Sequence, residues 1–202
     1  MRTGRLALIV LLLAGVPSLV SAGPVTIINF DSLGDLEVVV SQYPGLTFSQ
    51  TLALKAGFSL NEFEFPPRSG DVVVFDDGGP ISILFGSPVL NVAGYFTYVV
   101  PLTMTVYDAS NNLLGTAVSS FASNVLTSGD PGSAPNELLA LAFPGITSVT
   151  ISGDLAGGSF TLDDFAYEAT EQVPVPEPGG TLSLLALGAA GLSLMRRVGR
   201  RD

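Results

Sequence analysis

Tyr95-Phe96-Thr97-Tyr98-Val99-Val100-Pro101-Leu102-Thr103-Met104-Thr105-Val106-Tyr107, followed by Asp108-Ala109-Ser110-Asn111-Asn112 and then Leu113-Leu114, decides the fold class of this chain. β-Branched and aromatic side chains suit a pleated, half-buried surface. Asp, Asn and Ser bond to nearby backbone groups where a chain reverses. The stretch therefore predicts strands over 95–100 and 102–107 and a hairpin over 108–115 that turns on Ala109-Ser110-Asn111-Asn112. In the first strand Phe96 and Tyr98 share a face and Tyr95 points the other way. Core packing is the expected use of that face, and a platform for sugar rings is the alternative.

The same texture extends in both directions. Runs at 25–30, 72–75, 81–85, 148–152 and 159–167 are rich in Val, Ile, Phe and Thr, with Gly, Asn, Asp and Pro between them. No stretch of the body sustains a helical apolar period for three turns. Many short strands separated by turn residues predict an all-β fold, an antiparallel β-sandwich of jelly-roll type. The expected domain covers 23–167, with 168–175 as a linker. Asp76-Asp77-Gly78-Gly79-Pro80 reads as a turn, as do Gly115, Gly153 and Gly157-Gly158. The loop at 127–136 is the longest and is placed to rim a binding face.

Charge is unevenly spread. Six of the eight basic residues sit at the ends, and between Gly23 and Pro176 two basic residues face sixteen acidic ones, a net charge of −14. A surface this acidic repels phosphate backbones, so nucleic acid is not an expected partner. Cysteine and histidine are both absent. That removes thiol nucleophiles, imidazole bases, disulfides and the common zinc ligands.

Both ends read as sorting signals. At the N-terminus Arg2 and Arg5 precede an apolar run over 6–16, and Val20-Ser21-Ala22 forms a small-residue cleavage site before Gly23. This is the layout of a secretory signal peptide over 1–22, cut between Ala22 and Gly23. At the C-terminus Val175-Pro176-Glu177-Pro178 precedes an apolar run and then Arg196, Arg197, Arg200 and Arg201. The prolines enforce an extended segment. A transmembrane helix over 180–195 would rise about 24 Å at 1.5 Å per residue, a little short of the ~30 Å hydrocarbon core. The four arginines stop the helix on the cytoplasmic side and leave the body outside.

These residues, with Leu184-Leu185, Gly188 and Gly191-Leu192, resemble the PEP-CTERM sorting domain, a tail also catalogued as an ice-binding-protein C-terminal motif. The resemblance covers 175–201. It implies a Gram-negative exported protein that exosortase, a membrane transpeptidase, processes at or near Pro176-Glu177-Pro178, in cells that make exopolysaccharide and biofilm. A permanent single-pass membrane anchor is the alternative. The body resembles, more loosely, the β-sandwich ectodomains that precede such tails, at Ile28-Asn29-Phe30-Asp31, Tyr43-Pro44-Gly45-Leu46-Thr47-Phe48 and Phe160-Thr161-Leu162-Asp163-Asp164-Phe165.

The first and last strands of a jelly roll commonly lie side by side, which would bring Asp31, Asp163 and Asp164 together. Oxygen ligands of this kind select calcium over transition metals. MAM-like and carbohydrate-binding jelly rolls resemble this arrangement, and structural calcium is the one cofactor expected. Turn-capping or solvated aspartates are the competing expectation. A catalytic carboxylate pair needs a fixed separation, roughly 5–5.5 or 6.5–9.5 Å in glycosidases, which adjacency in sequence does not supply. The expected protein is thus a non-enzymatic one of the cell surface or extracellular matrix, matured by signal peptidase and exosortase and associated with exopolysaccharide. A lectin-like carbohydrate-binding module is the chief alternative, and a carboxylate-dependent glycan hydrolase the weaker one.

Overall fold

The computed structural model describes residues 21–171, and these form nine strands with no helix among them. In order they are β1 (Ser21–Ile28), β2 (Leu46–Ser49), β3 (Thr51–Lys55), β4 (Val72–Asp76), β5 (Ile81–Tyr98), β6 (Thr103–Tyr107), β7 (Leu113–Val118), β8 (Glu137–Ser152) and β9 (Phe160–Glu171). All ladders are antiparallel. Burial alternates residue by residue along β2, β6 and the start of β5, because successive side chains of a strand point to opposite faces and only one face meets a core.

The expected antiparallel sandwich arises because β5 and β8 each serve two layers. The first half of β5 lies between β2 and the second half of β8, which continues to β6 and β7. The second half of β5 lies between the first half of β8 and β9. The change of layer falls at Gly86-Ser87-Pro88, where the register shifts between Leu84 and Val89. Proline has no N–H to give a ladder, so a break there forfeits no hydrogen bond at Pro88. On its other side β9 meets two strands end on, β4 opposite Thr161 and Leu162 and β1 from Phe165 onward.

Aromatic rings join the layers. Phe48 and Phe85 come from the first layer, Phe165 and Tyr167 from the second, with Phe30 at the end of β1. Phe48 meets Phe165 edge-on at 6.5 Å and Phe30 at 6.2 Å, while Phe85 lies 6.3 Å from Phe165 and 5.5 Å from Tyr167. Offset and edge-to-face pairs satisfy the ring quadrupoles as well as removing apolar area from water. Phe96 and Tyr98 are fully buried, so that face is core and not a sugar platform.

The 108–115 hairpin forms as predicted. The Asp108 carboxylate accepts the N–H groups of Ser110 and Asn112, each at 2.8 Å, and Asn111 takes φ +60°. Two boundaries differ from expectation. The strand expected over 95–100 is the end of an 18-residue strand. The linker expected over 168–175 begins as strand, because Glu168 pairs with Val25, Thr170 with Ala22 and Glu171 with Ser21. β1 gives this part of β9 a row of backbone partners, and an unpaired strand edge is satisfied that way. The expected cleavage site, Ala22–Gly23, lies within β1, next to a bulge between Ala22 and Val25. The rest of the expected signal peptide, the expected sorting motif Val175-Pro176-Glu177-Pro178, the helix expected over 180–195 and the four terminal arginines lie outside the described residues.

Truncating the ring at the centre of the aromatic seam tests this packing. Phe165→Ala is expected to destabilise the domain by roughly 3–5 kcal/mol in urea unfolding, against ~0.5 kcal/mol or less for Val25→Ala on the exposed face of β1.

Candidate functional site

Residues 56–71 join β3 to its neighbour β4, leaving at Lys55 and returning at Val72, and form no ladder of their own, so their amides need acceptors. Backbone carbonyls accept the N–H groups of Ala56, Phe58, Leu60, Glu64 and Phe65, and carboxylates accept those of Arg68, Ser69 and Asp71. Beside β9 the end of β1 and the start of β4 leave a gap at Asp163 and Asp164. The Arg68 and Ser69 N–H groups donate to Asp163 Oδ2 at 2.7 and 3.0 Å, and the Asp164 N–H donates to Asp163 Oδ1 at 2.7 Å. The Ser69 hydroxyl donates to Asp164 Oδ1 at 2.7 Å. From the other side, Asp31 Oδ1 accepts the Asp71 N–H at 2.9 Å and the Val72 N–H at 3.3 Å.

A β-bulge makes this possible. Ala93 faces Ala166 and Tyr95 faces Asp163, so two residues of β9 stand against one of β5, and Asp164 takes φ +46°. In regular strand, neighbouring side chains leave on opposite faces. The bulge instead lets both aspartates reach Ser69. Gly70 is demanded by the same packing: it has φ +55°, and a Cβ there would lie 1.9 Å from Asp31 Oδ2. The three predicted aspartates thus meet one loop. Their oxygens are engaged by N–H and O–H donors, and among the described residues no group of three or more acidic side chains is placed to hold a metal ion.

The opposite end of β4 repeats the device. Asp76, 0% exposed, accepts the Ser159 and Phe160 N–H groups at 2.8 and 3.0 Å and the Ser159 hydroxyl at 2.7 Å. The residue read from sequence as part of a turn is therefore also a buried clasp between β4 and β9. Glu64 ties the loop to the 119–136 segment, accepting the Thr127 N–H at 3.1 Å and the Thr127 hydroxyl, while Asn136 Nδ2 donates to the Pro66 carbonyl at 3.1 Å. Asp35 accepts the Lys55 N–H at 2.9 Å and the Ser59 hydroxyl.

Held this way, the loop walls an open pocket of ≈180 Å³ lined by Leu54, Ser59, Leu60, Asn61, Phe65, Phe75, Gly158, Phe160 and Thr161. Phe58 and Phe63 flank the lining in sequence and are each 75% exposed. Both basic residues of the domain are occupied: Lys55 pairs with Asp71 at 3.1 Å, and the Arg68 guanidinium lies 4.6 Å from the centre of the Tyr95 ring. Sequence reasoning passed over this pocket. The available signal was three phenylalanines, at 58, 63 and 65, in a segment too rich in turn residues to be a strand.

No family model and no curated protein matches the chain. Among solved structures it is similar to the K2 cleaved adhesin domain of Lys-gingipain, with a TM-score of 0.46 and 12% identity over 71% of this chain and 99% of that one. It is also similar to the K1 cleaved adhesin domain of Lys-gingipain from Porphyromonas gingivalis W83, with a TM-score of 0.44 and 10% identity over 74% of this chain and 100% of that one.

Burial drives the Asp163 carboxyl up to about 6, against the bonds from Ser69, Asp164 and Arg68, which favour the charged form. Burial likewise raises Asp76. A folded pKa above the unfolded one adds stability that is complete below the unfolded value, 3.8, and is lost as pH rises through the folded value. For Asp163 the whole effect is roughly 3 kcal/mol at 1.36 kcal/mol per pKa unit. Glu37, Glu64, Asp35 and Asp108 are shifted down by hydrogen bonds, so their contributions fade only below the ordinary values of 4.5 and 3.8. The domain is expected to resist urea better at pH 5 than at pH 7.5. Asp163→Asn, which keeps an acceptor for the loop and carries no charge, is expected to flatten that slope.

Proposed function

We propose that this chain is an exported surface or matrix protein whose β-sandwich is a non-catalytic module displayed outside the cell. On this reading signal peptidase removes 1–22, the PEP-CTERM-type tail inserts in the membrane, and exosortase processes it at Val175-Pro176-Glu177-Pro178 in a cell that makes exopolysaccharide. The observation that carries the reading is the pairing of β1 with β9 from Val25–Glu168 to Ile28–Phe165, which lies wholly within 23–171. The first and last strands of the domain meet at one corner, so both proposed cuts fall beside it and neither enters the core. Cleavage after Ala22 would remove two paired residues and leave the ladder from Val25 to Ile28. The commitment of Asp31, Asp76, Asp163 and Asp164 to backbone and hydroxyl donors supports a binding or structural role over hydrolysis, since an acid and a base must be free to exchange protons with a substrate.

Mass spectrometry of the mature protein from cells that produce it tests this. A chain starting at Gly23 and ending within or just before 176–178 is expected. A chain retaining Met1 would overturn export, and an intact Asp202 on an exported chain would favour the permanent anchor. Calcium at Asp31, Asp163 and Asp164 stays a proposal from the sequence, in which the ion would compete with the N–H and O–H donors that these carboxylates accept. A melting temperature that rises with millimolar calcium and falls with chelator would identify that ion, whereas equal temperatures would leave the loop to its hydrogen bonds.

A further inference from the structure

We infer that the pocket beside the 56–71 loop binds one neutral sugar ring of a polysaccharide. The inference deepens the reading of the domain as a displayed, non-catalytic module and rests on it. Three features of the pocket select the ligand class.

The first is charge. The described domain has two basic residues, Lys55 and Arg68, and both are engaged elsewhere, by Asp71 and by the Tyr95 ring. A phosphate, sulfate or uronate would enter a field of net charge −14 in a pocket that neither Lys55 nor Arg68 lines. An uncharged ligand meets no such barrier.

The second is the lining. Phe65, Phe75 and Phe160 with Leu54 and Leu60 present apolar surface, while Asn61 and Thr161 bring an amide and a hydroxyl that take no part in the bonds holding the loop. Asp35 fixes Ser59 at the wall. Pyranose rings combine apolar C–H faces with equatorial hydroxyls, so aromatic surface and neutral polar groups answer both. Phe58 and Phe63, each 75% exposed, lie on the same loop as the lining residues Ser59, Leu60, Asn61 and Phe65, and offer ring surface that folding does not use. A volume of ≈180 Å³ lies below the roughly 300–1,000 Å³ of sites for drug-sized ligands, which suits one ring.

The third is position. Gly158, Phe160 and Thr161 form one wall of the pocket at the start of β9, and the described domain ends at Glu171, the last of the 12 residues of β9, about 36 Å along the strand from Phe160 at roughly 3.3 Å per residue. The pocket therefore opens far from the corner where β1 begins and β9 ends, the corner a membrane tether would use.

The test uses the full exported chain in detergent and an immobilised panel of cello-, malto-, manno- and galacto-hexaose with alginate as the anionic probe. Saturable binding to at least one neutral member and none to alginate is expected. Loss of both rings, in Phe58→Ala with Phe63→Ala, or of the amide, in Asn61→Ala, should weaken it by about tenfold, equivalent to ~1.4 kcal/mol. Leu113→Ala, exposed on the remote edge strand β7, should leave it unchanged. No saturable binding to any neutral member, binding to alginate alone, or equal binding by the pocket variants would overturn the inference. So would concentration-dependent dimerisation abolished by Phe58→Ala with Phe63→Ala, which would assign the pocket to a second copy of the chain. Failure in a correctly processed protein removes the sugar and leaves the surface module standing. Failure in a chain that still carries Met1 removes both.

Discussion

Backbone amides that no β-ladder reaches must still find an acceptor, and where the 56–71 loop returns to the sheet those acceptors are carboxylates. An unpaired buried N–H costs about 1–3 kcal/mol, and Asp163 and Asp31 accept the N–H groups of Arg68, Ser69 and Asp71, while Asp164 accepts the Ser69 hydroxyl and Glu64, on the loop itself, accepts Thr127. This gives a physical meaning to the acidic composition. Much of the negative charge is spent on holding loops, and with neither cysteine nor histidine in the chain no disulfide shares the task.

The arrangement links fold to surface. β9 is the central element: it carries Asp163 and Asp164, receives β1, β4 and β5, and at its start contributes Phe160 and Thr161 to the pocket. A loop tied at Asp31, Asp35, Glu64 and Asp163 is positioned before any ligand arrives, and preorganisation lowers the entropic cost of binding. The cost appears in Asp163, whose charged form is disfavoured by burial even with three N–H donors.

The aromatic seam supplies the complementary part. Phe48 and Phe85 meet Phe165 and Tyr167 across the layers, and β5 and β8 turn from one layer to the other around them. Gly157, at φ +81° and with space for a Cβ only 2.5 Å from the Gly78 N, lets the 153–159 turn close against the end of β4, where Asp76 fastens it. Both ends of β4 are thus joined to β9 by an aspartate.

Residue chemistry alone determined the all-β class, the 108–115 hairpin and the absence of thiol and imidazole chemistry. These follow from local preferences and from composition, which need no partner. The first half of β8 was not legible, because Leu138-Leu139-Ala140-Leu141-Ala142 is made of good helix formers and becomes strand only by pairing with β5. Neither was the role of the aspartates. Asp163 and Asp164 are adjacent and Asp31 is distant in sequence; only the bulge in β9 and the end-on meeting of β1 with β4 turn all three onto one loop. The pocket depends on the same long-range contacts, since its walls come from β3, β4, β9 and the 56–71 segment, and no local pattern in the chain specifies where those four meet.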